Sequence, residues 1–168
     1  MYIATNKVEY DENYNVISTK TKLMKFELNN GKIIYKAKGE VEGRVNNQFS
    51  MDENGDNFRI ATTIGEIWSN QNTSNNLYVL NDKLEEIGKI EGLEGEKIYS
   101  VRYMGSKAYV VTFKQTDPFW VIDLSDATNL QILGEVKLPG YSVYLHPYDE
   151  KHIIGFGYDT KENGTRVT

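Results

Sequence analysis

The chain has 168 residues and a formal net charge of −5, and 39% of its residues are hydrophobic and 12% aromatic. This length suits one globular domain with a substantial core, and the mixed charges lack the basic stripe of a nucleic-acid-binding protein. Cysteine is absent from the sequence, which excludes disulfides, thiolate metal sites and cysteine nucleophiles.

No apolar run approaches the roughly 20 residues that a transmembrane helix requires. Residues 1–10 lack the charged and apolar regions of a signal peptide, so we expect any export signal to lie outside this sequence. Short apolar runs separated by turns predict β-strands almost throughout.

The first predicted strands contain YIATN (2–6), LMKFEL (23–28) and KIIYKAKGEVEGR (32–44). The third alternates apolar and charged positions, which predicts one face formed by Ile33, Tyr35, Ala37, Gly39 and Val41. The next group contains QFSMD (48–52), RIATT (59–63), LYVLN (77–81) and GKIEG (88–92). A third group contains YSVRYM (99–104), AYVVTF (108–113), FWVIDL (119–124) and GEVKLPG (134–140), and YLHPY (144–148) and IIGFG (153–157) follow.

These strands repeat. The segment GEVEG at 39–43 recurs as GKIEG at 88–92 and, two residues longer, as GEVKLPG at 134–140. Each unit has four strands, A to D, and a four-stranded unit of roughly 40 to 50 residues is typical of a β-propeller blade. The charges of strand D and Pro147 in the last strand A suit sheet edges. A β-sandwich is the structural alternative, but it does not require such internal similarity.

The repeat divides the chain into partial and complete blades. Residues 1–46 supply strands B to D, residues 47–97 and 98–143 form two whole blades, and residues 144–168 supply strands A and B. Two interpretations follow, because closed propellers have about 4–8 blades. Either the chain is part of a longer propeller, or the partial blades pair between two chains in a homodimer through open blade edges.

Several stretches resemble a known family, the secreted bacterial and archaeal proteins with a C-terminal β-propeller distantly similar to WD repeats. The stretches are NQFSMDENGDNFRIATT (47–63), NNLYVLNDKLEEIGKIEGL (75–93), IYSVRYMGSKAYVVTFKQTDPFWVIDLSD (98–126) and LPGYSVYLHPYDEKHIIGFGYDT (138–160). The resemblance implies an extracytoplasmic protein, secreted or at the cell surface, with no catalytic residues to transfer.

Both histidines of the chain lie in YLHPYDEKH (144–152). His146, His152, Asp149 and Glu150 form one candidate metal site, since hairpin partners approach each other. We favour a turn between two strands, because MGSK (104–107) occupies the same position in the preceding blade without ligands.

The turn DENGDN (52–57) offers oxygen ligands for calcium at Asp52, Asn54 and Asp56. Its spacing is not that of an EF-hand, so a tight A–B turn is the preferred interpretation and weak calcium binding the alternative. No other cofactor is expected.

Loops at one end of the propeller channel are the usual place for ligands or partners. The candidate binding residues, all on or beside such loops, are Trp68, Lys114, Gln115, Asp117, Tyr141, Tyr144 and His146. The sequence has no catalytic constellation, because GYSVY (140–144) lacks the last glycine of a nucleophile elbow. We therefore expect a non-enzymatic module that binds a protein or glycan, and the alternative is part of a propeller hydrolase or lyase that uses channel carboxylates.

Overall fold

A computed structural model describes residues 1–65, 73–93, 95, 97–113, 117–138 and 140–159 of the chain. These residues form fourteen β-strands in four antiparallel sheets that follow one another along the sequence. The first sheet consists of β1 (Tyr2–Tyr10), β2 (Val16–Asn29) and β3 (Lys32–Glu42), in that order.

The second sheet has its strands in the order β4, β6, β7, β8, and β5 also pairs with β6. Its elements are β4 (Arg44–Val45), a 3-10 helix (Gln48–Ser50), β5 (Met51–Asn54), β6 (Asn57–Ile64), β7 (Ser74–Leu80) and β8 (Glu86–Leu93).

The third sheet is a four-stranded meander, and the fourth is a pair of strands. Their elements are β9 (Lys97–Met104), β10 (Lys107–Phe113), β11 (Asp117–Asp123), β12 (Gln131–Leu138), β13 (Tyr141–Pro147) and β14 (Ile153–Tyr158). The fourth sheet thus begins at Tyr141, upstream of residue 144.

The hydrophobic core lies between successive sheets. One cluster joins the first two sheets through residues such as Leu23, Phe58 and Leu84, and another joins the second and third through residues such as Leu77 and Val101. Each fully buried side chain of this size contributes about 1.5–3 kcal/mol relative to an exposed one, so these two layers dominate the stability. Consecutive antiparallel sheets of three, five, four and two strands, packed against one another through these clusters, confirm the predicted all-β fold of partial propeller blades.

The predicted face of the third strand is wrong at its start. Lys25 pairs with Ala37 but Phe26 pairs with Tyr35, so Lys36 is the extra residue of a β-bulge. Tyr35 therefore shares the opposite face with Phe26, whose ring centroid lies 5.9 Å away, and it is exposed. A bulge inserts one residue and so reverses the inward and outward alternation beyond it.

The predicted strand at 48–52 is also shorter than expected. Gln48–Ser50 form the 3-10 helix, because the side chain of Asn47 accepts a hydrogen bond from Phe49 N at 2.9 Å. This local bond competes with strand pairing and places Phe49 outside the sheet.

Candidate binding site

The inner strand of the third sheet, β9, lies beside elements of both neighbouring sheets. Strand β9 contacts β13 on one side and the 3-10 helix that precedes β5 on the other. In a propeller such inner strands border the central channel, where ligands commonly bind.

Arg102 on β9 joins these strands. Its Nε donates a 2.9 Å hydrogen bond to the carbonyl oxygen of Leu145 on β13. Its guanidinium carbon lies 4.5 Å from the ring centroid of Phe49 and 5.1 Å from that of Tyr144. The guanidinium is therefore held beside two aromatic rings, which contact each other edge to face at 5.5 Å.

Tyr144 extends this cluster along β13. Its hydroxyl and Nδ1 of His146 are 3.1 Å apart and share a hydrogen bond, and its ring lies 6.1 Å from that of Phe156. His146 is exposed and Tyr144 is half-buried. Together, Phe49, Arg102, Tyr144 and His146 form what we call the inner cluster.

A β-bulge in β13 orients Tyr144. Ser142 pairs with Gly157 and Tyr144 with Phe156, so Val143 is the inserted residue. The bulge brings the backbone of Tyr141 so close to Gly157 that a Cβ there would overlap it. Gly157, the second glycine of IIGFG, therefore makes room for the bulge that places Tyr144 and Phe156 on the same face.

Tyr141 belongs to a different aromatic group. Its ring centroid lies 4.8 Å from that of Tyr99 and 5.6 Å from that of Tyr158, and Lys97 Nζ lies 4.8 Å from the Tyr99 ring. The structure thus brings Tyr144 and His146 together and places the half-buried Tyr141 in this second group.

The structure does not describe the side chains of the other predicted binding residues. Trp68, Lys114 and Gln115 lie outside the described residues, and Asp117 begins β11 without a described side chain. Their role stays a prediction.

The stretch YLHPYDEKH contains the end of β13 and the turn that leads to β14. The Asp149 carboxylate accepts hydrogen bonds from Lys151 N and His152 N, each at 2.8 Å, and lies 2.8 Å from His152 Nδ1. These bonds, first that of Lys151 N and then that of the His152 ring, lower the pKa of the Asp149 carboxyl below its ordinary value. His146 instead contacts Tyr144, so the two histidines have different partners.

The turn after β5 is occupied by contacts within the protein. Asp52 forms an ion pair with Arg59, and Asn54 Nδ2 donates to the carbonyl oxygen of Gly105 at 2.9 Å. Calcium at Asp52, Asn54 and Asp56 remains a prediction, and such an ion would compete with Arg59 for Asp52. Among the described residues, no three His, Asp or Glu side chains are grouped so as to hold a metal ion.

Sequence reasoning missed Phe49 and Arg102. The available signal was Arg102 itself, the basic residue within the strand segment YSVRYM. Phe49 gave no signal, because its contact with Arg102 depends on how successive sheets pack.

Comparison with known proteins identifies relatives without an assigned activity. A family model described as "Beta propeller domain" matches residues 1–168. The chain is similar to an uncharacterized protein of Methanocaldococcus jannaschii, 51% identical over 122 residues, which cover 72% of this chain and 20% of that protein. It is also similar to an uncharacterized protein of Archaeoglobus fulgidus, 45% identical over 139 residues, which cover 82% of this chain and 21% of that protein.

The chain therefore spans about a fifth of the length of the curated relatives it matches. No helix in the described part of the chain is long and apolar enough to cross a membrane.

Proposed function

Because the chain belongs to the beta propeller domain family, we propose that it is the binding segment of a non-enzymatic propeller that recognises a protein or glycan. The observation that carries this proposal is the inner cluster. Aromatic and arginine side chains are enriched among the residues that dominate binding energy at interfaces, and here both types meet beside the channel.

Arg102 is the central residue of the proposed site. Its Nε donates a hydrogen bond to the carbonyl oxygen of Leu145. Among the described residues, no carboxylate forms an ion pair with Arg102. A guanidinium fixed in this way has two terminal nitrogens in one plane, which suits a carboxylate bound through two parallel hydrogen bonds. The ligand chemistry that fits is a carboxylate next to an apolar or sugar face, as in acidic peptides and uronic-acid glycans.

Tyr144 and His146 would supply the second half of recognition. The Tyr144 ring offers a flat surface for stacking, and the exposed His146 ring offers a hydrogen-bonding nitrogen. The location that we propose is extracytoplasmic, supported by the family resemblance, and protease accessibility on intact cells of the source organism tests it.

The test is a titration of the chain with hexaglutamate and, separately, with trigalacturonate, followed by calorimetry and by the Arg102 Nε–Hε NMR resonance. We expect one of these ligands to shift that resonance, and we expect Arg102→Lys to weaken its binding at least about tenfold because lysine lacks the planar fork. The charge-matched control is Lys32→Arg, a charge-conserving exchange at the exposed first residue of β3, which should bind normally.

Two results would contradict the proposal. One is equal binding of both ligands by Arg102→Lys and by the unsubstituted chain. The other is turnover of glycosides or esters that depends on channel carboxylates, because turnover would indicate an enzyme.

A further inference from the structure

Two glycines mark equivalent positions on the outermost strands of the first and second sheets. A Cβ on Gly39 of β3 would overlap the carbonyl oxygen of Leu84 in the turn between β7 and β8. A Cβ on Gly88 of β8 would overlap the carbonyl oxygen of Ala127 in the turn between β11 and β12. Each glycine thus gives room to the backbone of the next sheet, and the lengths of the two hairpins can be compared from these contacts.

Measured from these contacts, the hairpin of β2 and β3 is much longer than that of β7 and β8. Strand β2 continues six residues beyond the partner of Gly39, to Asn29, whereas β7 continues one residue beyond the partner of Gly88, to Leu80. The difference of five residues corresponds to roughly 17 Å along a strand. Residues 24–38, which we call the hairpin tip, therefore project beyond the level at which β7 ends.

The hairpin tip is a regular element. Asn30 and Gly31 have φ of 47° and 78°, as in the type I′ turns that two-residue hairpin loops favour. Asn29 pairs with Lys32 beside this turn, and pairing continues from there to the bulge at Lys36. Because its two strands are paired, the hairpin tip presents its side chains on two defined faces.

One face of the hairpin tip is apolar. Leu28 pairs with Ile33 and Phe26 with Tyr35, so these four side chains share the face opposite to that of the buried core residues of the first sheet. Leu28, Ile33 and Tyr35 are 62%, 65% and 54% exposed, and Phe26 is half-buried. Ile34 lies on the other face and is 41% exposed. Apolar side chains are thus accessible from both sides of the projecting hairpin.

The hairpin tip is also basic within an acidic protein. It contains one acidic residue, Glu27, and four lysines, Lys25, Lys32, Lys36 and Lys38. Its formal charge is therefore +3, and the rest of the chain carries −8. Lys25 and Lys36 form ion pairs, whereas among the described residues no carboxylate pairs with Lys32 or Lys38. The ammonium groups of Lys32 and Lys38 are therefore available to an anionic partner.

We propose that the hairpin tip binds the surface of an anionic lipid bilayer. Leu28, Ile33 and Tyr35 enter the headgroup region, and the lysines contact lipid phosphates. Exposed apolar and aromatic side chains bordered by lysines are typical of segments that lie in the membrane interface. The negative surface attracts the hairpin tip and repels the acidic remainder of the chain, so the charge distribution also orients the protein.

The two exposed faces favour a bilayer over a protein partner. Ile33 and Ile34 are consecutive residues and therefore point to opposite sides of the hairpin. A fluid interface surrounds a projecting hairpin and covers both side chains, whereas a second protein surface covers one of them. Lysine side chains on either strand can extend along the apolar surface to reach the headgroups. This inference does not depend on the inner cluster.

The first test is cosedimentation of the 168-residue chain with vesicles. One set contains equal parts of phosphatidylglycerol and phosphatidylcholine, and the other contains phosphatidylcholine alone. We expect the apparent affinity for the anionic vesicles to be at least about tenfold higher, and to fall as sodium chloride is added, because salt screens the attraction between lysines and lipid phosphates.

Paired variants then assign the binding surface. The double variant Leu28→Ser with Ile33→Ser should weaken binding to the anionic vesicles about tenfold. Its matched control is Ile132→Ser with Leu133→Ser, which removes two exposed apolar side chains from β12 and should bind normally.

A second pair tests the charges. Lys32→Gln with Lys38→Gln should also weaken binding to the anionic vesicles about tenfold or more. Lys137→Gln with Lys151→Gln makes the same change in net charge at exposed positions outside the hairpin tip and should bind normally. Because all the substituted side chains are exposed, circular dichroism and the unfolding midpoint should show that every variant stays folded.

Three results would overturn the inference. The first is that the chain does not sediment with anionic vesicles. The second is that the hairpin-tip variants and their controls sediment equally, which would assign binding to another surface. The third is that the hairpin-tip variants leave vesicle binding unchanged but weaken binding to hexaglutamate or lower the mass measured by light scattering. The hairpin tip would then belong to an acidic polypeptide or to a second copy of the chain.

Discussion

Arg59 connects two sheets from a buried position. It pairs with Asp52, its Nη1 donates to the carbonyl oxygen of Gly105 at 2.6 Å, and its guanidinium lies 4.9 Å from the Tyr103 ring. Burial disfavours the charged form of each group, so it lowers the pKa of the Arg59 guanidinium and raises that of the Tyr103 hydroxyl, and both groups keep their ordinary forms at neutral pH.

We expect Arg59→Met to lower the free energy of unfolding by about 2–3 kcal/mol, because it leaves Asp52 and the carbonyl of Gly105 without their partner. Denaturation in urea measures this loss. Arg59→Lys keeps the charge but not the bidentate geometry, so its free energy of unfolding should lie between those of Arg59→Met and the original chain. A methionine variant as stable as the original chain would show that the contact contributes nothing.

Asp149 makes the β13–β14 turn dependent on pH. Its folded-state pKa is lower than the ordinary value of 3.8 because of the hydrogen bonds from Lys151 N and the His152 ring. The stabilisation is therefore complete above pH 3.8 and is lost as the pH falls through the lower folded value. Hydrogen exchange at the amides of Lys151 and His152 should accelerate over this interval. Asp149→Asn, which does not titrate there, should show no such step.

At the scale of elements, two hairpin turns have the same geometry but different surroundings. Asp11 and Asn81 each accept hydrogen bonds from the backbone two and four residues later, and Tyr14 and Leu84 have φ of 63° and 64°. Tyr14 is 87% exposed, whereas Leu84 is 3% exposed and packs between the first two sheets.

The same substitution should therefore have opposite effects in the two turns. Tyr14→Gly relieves the left-handed backbone conformation and should raise the free energy of unfolding by about 0.5–1 kcal/mol. Leu84→Gly gains the same relief but loses a buried side chain, and should lower it by about 2 kcal/mol or more. Thermal unfolding of the pair measures both, and a loss of stability in Tyr14→Gly would contradict this account.

The sequence predicted those elements whose pattern is local and repeated. Strands of the second and third sheets were visible because apolar runs alternate with turns and recur with GEVEG-like segments. The 3-10 helix at Gln48–Ser50 was missed because one side-chain bond from Asn47 decides it. The bulge at Lys36 was missed because the prediction assumed an unbroken alternation of inward and outward residues along the strand, and the residue types do not mark where the register shifts. Within the site, Tyr144 and His146 are neighbours along one strand, whereas Phe49 and Arg102 meet only through packing of successive sheets.

At the scale of the whole molecule, the fourth sheet exposes an apolar face. Ile154, Phe156 and Tyr158 are all exposed on β14, and Phe156 is 56% accessible. An exposed apolar face of this kind favours association. We expect the mass of the 168-residue chain measured by light scattering to fall on dilution toward 19.3 kDa.

The matched variants for this prediction are Phe156→Ser and Tyr148→Ser. Tyr148 is also exposed but lies in the β13–β14 turn, so its replacement should leave association unchanged while that of Phe156 weakens it. A mass that stays at 19.3 kDa at every concentration would exclude association through this face.

The second and third sheets touch at two distances from the channel. Arg59 reaches Gly105 near the inner strands, and Gly88 receives Ala127 at the outermost strand. Two contacts at different distances from the channel restrict rotation of one sheet relative to the other and so set the angle between them. Gly88 thus acts as a spacer that sets the curvature of the array of sheets. A methyl group there would widen the angle between the two sheets, and fewer sheets would then fit around a full circle.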